Sequence, residues 1–359
     1  MREELYSNSC LLPGFDPLFW TVDTKTYPDD FLVARITEVN KGSFCITDGS
    51  VEMAAELSGK CMYSIENSTE LPTAGDWVIV QPLDNNTHGV IHAVLPRKTL
   101  LKRKVAGRGV DFQLIGANID KGFIVLPADN FNINSCERYL VMLNECGIVP
   151  VIILSKIDLL TPDERDNVHT KAASLNAEVV VISSINGDGF DVLSGLIEKG
   201  KTYCLLGPSG AGKTSLLNRL TGDSLYRVQE VREKDGRGRH TTVRRQLILL
   251  ECGGIIIDTP GMREIGNFDI DSGIAQTFDD IMALAEKCRF RDCTHVQEEG
   301  CAVIGAVTDG SIDVKRYQNY LKIRKEAQHY EMSFHEKRKK EKAFGKMLKR
   351  YNRDYRDKG

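Results

Sequence analysis

Gly207-Pro-Ser-Gly-Ala-Gly212-Lys213-Thr214-Ser215 decides how the rest of the chain is read. The stretch follows apolar Tyr203-Cys204-Leu205-Leu206 and runs into Leu216-Leu217-Asn218-Arg219-Leu220, the succession of strand, glycine-rich turn and helix start that a phosphate-binding loop requires. Glycine lets backbone N–H groups converge on phosphate oxygens, and the new helix turns its positive end toward the same anion. Gly207, Pro208, Ser209, Gly210, Ala211 and Gly212 then form the cradle, and Lys213 reaches the terminal phosphates. The Thr214 hydroxyl is placed to ligate Mg²⁺, and Ser215 ends the nucleotide-binding stretch.

Upstream of this loop, strands alternate with helices. Strands are predicted over 121–127, 148–154 and 178–182, and helices over 135–146, 162–175 and 193–198. Such alternation specifies an α/β domain with a mainly parallel sheet. The second strand delivers Ser155-Lys156-Ile157-Asp158 and the third delivers Ser183-Ser184. A carboxylate at Asp158 accepts both N1–H and N2–H of guanine, a donor pair that adenine lacks. Lys156 lies along the base, and Ser184 supports the guanine edge from the next strand end. GTP, rather than ATP, is the nucleotide this combination selects.

Downstream, Asp258-Thr-Pro-Gly261 ends another strand, where α/β sheets bind ligands. Asp258 there holds Mg²⁺ through water, and Gly261 presents a backbone N–H to the γ-phosphate. Thr242, with Thr241 as the alternate, is the candidate switch hydroxyl that joins the Mg²⁺ shell only while the γ-phosphate is present. Ordinary GTPases run from phosphate loop to switch threonine, DxxG and guanine motif. Here the guanine motif precedes the phosphate loop, so the domain reads as a circularly permuted GTPase, which neighbouring chain termini permit.

Ahead of it, five short β-rich pieces between about residues 31 and 95 are separated by turn signals such as Asn40-Lys-Gly and Asp48-Gly-Ser. An OB-type β-barrel is the common five-stranded solution. Leu101-Lys-Arg-Lys-Val-Ala-Gly107-Arg-Gly109 reads as a basic connector. Behind the GTPase domain, Cys288, Cys293, His295 and Cys301 supply three thiols and one imidazole, a set suited to tetrahedral structural Zn²⁺. The competing reading of that cluster is buried free cysteines.

The chain of 359 residues has room for two or three domains. No apolar run approaches the ~18 residues of a membrane span, and the polar, acidic start is unlike a signal sequence. Scattered cysteines fit reduced thiols. These features set the expectation of a cytoplasmic protein without membrane attachment, read as a monomer. Residues 315–359 hold 16 Lys and Arg against 6 Asp and Glu, a net of +10 that leaves −13 on the remainder. That asymmetry suits a polyanionic partner; the bland reading is a solvated helix face.

These residues resemble the ribosome-small-subunit-dependent, circularly permuted GTPases of bacteria. The resemblance also takes in Gly75-Asp76-Trp77-Val78, Pro96-Arg97 and Gly116-Ala-Asn118-Ile-Asp120. It implies an OB-fold domain, a permuted GTPase domain and a zinc domain; with a boundary near Gly109 at the basic connector, the chain divides as 1–108, lead-in and OB-fold; 109–285, permuted GTPase; 286–359, zinc-binding domain with α-helices and a basic tail. It further implies GTP hydrolysis stimulated by the small subunit late in its maturation, with rRNA as the contact. Two positions depart from the family pattern: Ser155 stands where Asn is commonest, and Met262 stands where a water-orienting Gln is usual. His240 is the candidate for that missing role; an RNA-contacting residue is the alternative reading of it, and an Arg or an RNA group from the ribosome could equally complete the site. Other readings of the chain are a nucleotide-gated RNA-binding module with incidental hydrolysis and a P-loop ATPase.

Overall fold

The computed structural model describes residues 14–16, 19, 27–28, 30–40, 43–104, 112–222, 245–258 and 271–327. His240, Thr241, Thr242, Gly261, Met262 and the basic tail beyond residue 327 lie outside the described residues.

Strands β1 (Leu32–Val39), β2 (Phe44–Thr47), β3 (Glu52–Leu57), β4 (Trp77–Leu83) and β5 (His88–Val94) run in the order β1-β2-β3-β5-β4, and β4 returns to β1. That closure is the five-stranded barrel read from the sequence, with β3 and β5 parallel and the other pairs antiparallel. Period-two patterning fills it: β3 buries Met53 and Ala55 and exposes Glu52, Ala54 and Glu56. Ala34, Ile36, Ile46, Val78, Val80 and Ile91 complete the interior. A short helix, α1 (Gly59–Ser64), lies between β3 and β4, with Ser58 Oγ accepting from the Cys61 N–H at 3.1 Å.

The basic connector is half of a hairpin instead. β6 (Leu100–Lys104) pairs antiparallel with β7 (Phe112–Ala117) in a sheet of its own. Its charges hide the strand character because they are satisfied sideways. Lys102 Nζ sits 4.6 Å from the Phe112 ring centroid, Arg103 Nε donates to Gln113 Oε1 at 2.7 Å, and Leu101 between the hairpin and the core is fully buried.

The GTPase sheet comprises β8 (Lys121–Pro127), β9 (Val149–Ser155), β10 (Glu178–Val181), β11 (Thr202–Leu206), β12 (Arg245–Leu249) and β13 (Ile255–Asp258), in the order β10-β9-β8-β11-β13-β12. Every pair is parallel except β12 with β13. Alternate residues of its central strands feed two cores. Phe123, Val125, Val151 and Ile153 pack with Leu193, Leu216 and Leu217 of α4 (Phe190–Gly195) and α5 (Lys213–Thr221). Ile124, Leu126, Ile152 and Leu154 pack with Leu140 and Leu143 of α2 (Ile133–Glu145) and Ala172 of α3 (Pro162–Ala173). Helices therefore cover both faces. Helix α4 begins at Phe190, ahead of the predicted Leu193 start, because Gly189 at φ +74° turns the chain into it.

Barrel and GTPase sheet are continuous: Glu38 and Val39 of β1 pair with Gln246 and Arg245 of β12. A buried polar joint reinforces the seam. Arg97 grips the fully buried Asp76 through Nε and Nη2, each at 2.7 Å. Asn118 Nδ2 donates to the Gly75 carbonyl at 3.1 Å, Arg35 Nη2 donates to Thr202 Oγ1 at 2.8 Å, and the Thr202 N–H donates to Asp120 Oδ2 at 2.8 Å.

Beyond the sheet come α6 (Asp271–Thr277), α7 (Asp279–Ala285), α8 (Ala302–Thr308) and a helical stretch over 314–327. Helix α6 lies so close to α2 that a Cβ on Gly273 would stand 2.2 Å from the Val141 carbonyl oxygen. Charges lock the module to α2. Glu137, with no exposed surface, accepts from Arg316 Nη1 and Asn319 Nδ2 at 2.5 Å each, and Arg316 also pairs with Asp280 at 2.8 Å.

Candidate active site

Because β8, β9, β10, β11 and β13 are parallel, their C-terminal ends share one edge, where the described motif residues Ser155–Asp158, Ser183-Ser184, Gly207–Ser215 and Asp258 stand. At the end of β11 the backbone of Gly207, at φ +137°, passes so near β8 that a Cβ would lie 2.1 Å from the Val125 carbonyl oxygen. Gly210 and Gly212 also take positive φ, 77° and 88°. Helix α5 then starts at Lys213. The turn thus needs glycine for conformation and for close approach. Lys213 Nζ donates to the carbonyls of Gly207 and Pro208, each at 2.7 Å. Burial pushes its pKa down to about 8, against the Asp258 carboxylate, which raises it. Asp258, half-buried, ends β13 opposite Gln246.

The loop from Ser155 to Asp158 is joined to this turn. Ser155, 2% exposed at the end of β9, donates from Oγ to the Ala211 carbonyl inside the phosphate loop at 2.7 Å, and Leu126 O lies 3.2 Å away. Ser155, where the family pattern commonly has Asn, thus bonds the two loops together. Lys156 follows at φ +60°, a left-handed turn, and Ile157 is buried. Asp158 Oδ1 accepts from the fully buried Ser183 Oγ at 2.6 Å, and the same oxygen of Ser183 accepts from the Asn186 N–H at 3.1 Å. Ser183 thus fixes the carboxylate, and Ser184 comes next, half-buried. Arg219 reaches the Ser184 carbonyl at 3.1 Å. The sequence reading assigns Arg219 no role beyond the start of the helix after the phosphate loop.

The Cys/His set forms a second centre. The ligand atoms of Cys288, Cys293, His295 and Cys301 all lie within 4.8 Å of one another. Cys288 Sγ is 3.8 Å from Cys301 Sγ, and the two sulfurs are 3.6 and 3.5 Å from His295 Nδ1. Tetrahedral Zn²⁺ with ordinary bond lengths needs S···S edges of about 3.8 Å and S···N edges of about 3.6 Å. The residues fit that ion, and four protein donors leave it no open position. Tyr317 Oη donates to the His295 carbonyl at 2.5 Å, holding a residue whose φ is +62°.

Comparison with known proteins agrees with this geometry. A family model described as RsgA GTPase matches residues 94–268, and one described as 50S ribosome-binding GTPase matches residues 202–340. The small ribosomal subunit biogenesis GTPase RsgA 1 of Bacteroides thetaiotaomicron is 39% identical over 345 residues, 95% of this chain and 96% of that one. The chain belongs to the RsgA GTPase family. Among solved structures, YjeQ from Thermotoga maritima superposes with a TM-score of 0.63 at 26% identity, covering 83% of this chain and 99% of its own. YloQ, described as a circularly permuted GTPase, gives 0.60 at 25% identity, covering 84% and 96%. The chain is therefore a GTPase of permuted order that uses guanine nucleotide and Mg²⁺. Among the described residues, no helix is long and apolar enough to cross a membrane.

Proposed function

We propose that the edge formed by the ends of β8, β9, β11 and β13 binds GTP with Mg²⁺ and hydrolyses it to GDP, and that this hydrolysis is stimulated by the small ribosomal subunit late in its maturation. Asp158 takes the guanine N1–H and N2–H, Lys156 lies along the base, and Ser155, Ile157, Ser183 and Ser184 hold the base loop. Gly207 through Gly212 cradle the phosphates, Lys213 reaches the terminal ones, and Ser215 closes the stretch. Thr214 and Asp258 hold Mg²⁺, with Thr242 joining when the γ-phosphate is present. Gly261 presents its N–H to the γ-phosphate, and His240 orients the attacking water in place of the apolar Met262. Zn²⁺ is held by Cys288, Cys293, His295 and Cys301 as a structural ion.

The observation that carries this reading is the bond of 2.7 Å from Ser155 Oγ to the Ala211 carbonyl, which ties the 155–158 loop to the phosphate loop and supports their serving one nucleotide. The relatives are named for biogenesis of the small ribosomal subunit, which supports that subunit as the partner. The surplus of positive charge beyond residue 314, with exposed Arg289 and Arg291 beside the Cys/His centre, suits rRNA phosphates. We divide the chain as 1–108, 109–285 and 286–359, working as a monomer in the cytoplasm.

GTP turnover measured with and without purified small subunits tests the proposal. A rise of about 10² or more, as when a partner completes a GTPase site, is expected. Equal turnover in the two arms would refute the stimulated switch and favour an RNA-binding module with incidental hydrolysis.

A further inference from the structure

Arg219 stands on α5, six residues beyond Lys213, and is exposed. Exposed arginines usually leave their heads in water. This one is held by the loop that follows β10. Its Nη1 donates to the Ser184 carbonyl at 3.1 Å, and its guanidinium carbon lies 4.9 Å from the Phe190 ring centroid. It also crosses Gly187 so closely that a Cβ there would be 2.2 Å from Nη2.

The consequence is an orientation of two adjacent peptides. The Ser183 carbonyl accepts from the Gly187 N–H at 2.9 Å, and the Ser184 carbonyl accepts from Arg219. In a planar trans peptide the N–H points opposite to the C=O. The N–H groups of Ser184 and Ile185 are therefore turned away from those partners, and among the described residues neither has an acceptor. The neighbouring Ser183 and Asn186 N–H groups are taken, by the Asp188 carbonyl at 3.0 Å and Ser183 Oγ at 3.1 Å. Two free donors thus follow directly on the serine that fixes Asp158. Beside its N1–H, guanine carries a 6-oxo acceptor; adenine carries an amino group there, which donors disfavour.

We propose that Arg219 is a positioning residue for guanine: by holding the Ser184 carbonyl it sets the adjoining N–H groups as donors to the 6-oxo oxygen, completing the recognition begun by Asp158. The inference rests on the guanine site proposed above. It also links the two halves of that site, since the helix capping the phosphates carries the clamp for the base loop.

The test compares GDP, IDP and ADP affinities of the full chain with those of Arg219→Ala and Arg219→Lys. Loss of one charged hydrogen bond at a partly exposed site is expected to weaken GDP and IDP about tenfold each. ADP is expected to stay unchanged, so the GDP-over-ADP preference falls by the same factor. The GDP-to-IDP ratio, which reads the 2-amino contact at Asp158, stays constant. Arg219→Lys recovers part of the loss, since an ammonium can reach the carbonyl but lacks the planar guanidinium that sits over Phe190. Unchanged GDP affinity in the Ala variant, or equal losses for GDP, IDP and ADP, would overturn the proposal. Asp158→Asn is measured alongside. A shift toward XDP upholds the guanine site whatever Arg219 does, and no shift removes both readings.

Discussion

Ser155→Ala removes one hydroxyl from a site 2% exposed and leaves the Ala211 carbonyl without the donor now 2.7 Å away. A buried polar group stripped of its partner costs about 1–3 kcal/mol. That cost divides between two measurable quantities. The part that only holds the fold lowers the thermal midpoint. The part that holds the phosphate loop in its binding shape before ligand arrives raises the dissociation constant for nucleotide. Were the whole cost in the second part, GDP affinity would fall between about 5-fold and 150-fold. The hydroxyl hydrogen is shared with Leu126 O at 3.2 Å, on the neighbouring strand, so some of the effect belongs to the fold. A loss of about tenfold in GDP affinity with a modest drop in midpoint is expected. Titration with a fluorescent GDP, followed by displacement with GDP and ADP, reads it. Because the brace ends on the phosphate loop, both nucleotides should weaken alike, the opposite pattern to Arg219→Ala. GDP affinity within twofold of the parent, beside a clearly lowered midpoint, would refute the reasoning and reduce Ser155 to packing.

Lys213 makes nucleotide affinity depend on pH. Its pKa of about 8 in the free protein means that phosphate must recruit a proton above that pH, so GDP binding should weaken about tenfold from pH 7 to pH 9. Between that value and the ordinary lysine range the unfolded chain keeps the proton and the folded one does not, so the nucleotide-free fold gains stability as its affinity falls. Lys213→Arg, charged throughout, should show a flat profile, and a slope equal to the parent's would assign the titration elsewhere. Arg316→Met strands the buried Glu137 carboxylate and should cost about 3–5 kcal/mol in urea unfolding, whereas adding Glu137→Gln should return most of it. If the single variant unfolds at the parent's urea midpoint, the clamp between α2 and the C-terminal module contributes nothing. Metal analysis of the purified protein should find a single zinc per chain, lost in Cys293→Ser together with a lowered midpoint. Its absence from the parent would contradict the Cys₃His reading.

How much of this was legible in the sequence depended on the range of the interaction. The phosphate loop could be read because its signal is local: glycines at positive φ, a lysine and a helix start lie within nine residues. The barrel strands could be read because one face is apolar, and the strand–helix alternation because its periods differ. The hairpin of β6 and β7 could not, since Lys102 and Arg103 look like a linker until Phe112 and Gln113 are opposite them. Gly75-Asp76, Pro96-Arg97 and Asn118-Ile-Asp120 carried no legible chemistry for a related reason. Each supplies one member of a hydrogen-bonded set whose other members are 20 to 82 residues away. Only folding shows that together they build the joint between barrel and GTPase. Ser183 was legible as a neighbour of the base but not as the group that fixes Asp158, which needed β9 and β10 side by side in register.

The permuted order accounts for where that joint lies. The chain enters the GTPase sheet on β8 and leaves it on β13, and these two strands flank β11, the strand that carries the phosphate loop. In the customary order the guanine motif follows β13 within one domain, so neither neighbour of the phosphate strand is a chain boundary. Here both are. On the entering side, Asp120 at the head of β8 accepts from the Thr202 N–H at the head of β11, and the Thr202 hydroxyl takes Arg35 from the barrel. On the leaving side, β12 is shared between β13 and barrel strand β1, and the chain after β13 returns to α6 against α2. The phosphate strand is thus held between two strands that are each tied to a flanking module. Among the described residues, the barrel is joined to this strand by the hydrogen bond from Arg35 to Thr202, and the C-terminal module is joined to α2 by the Arg316–Glu137 pair and the close approach of Gly273.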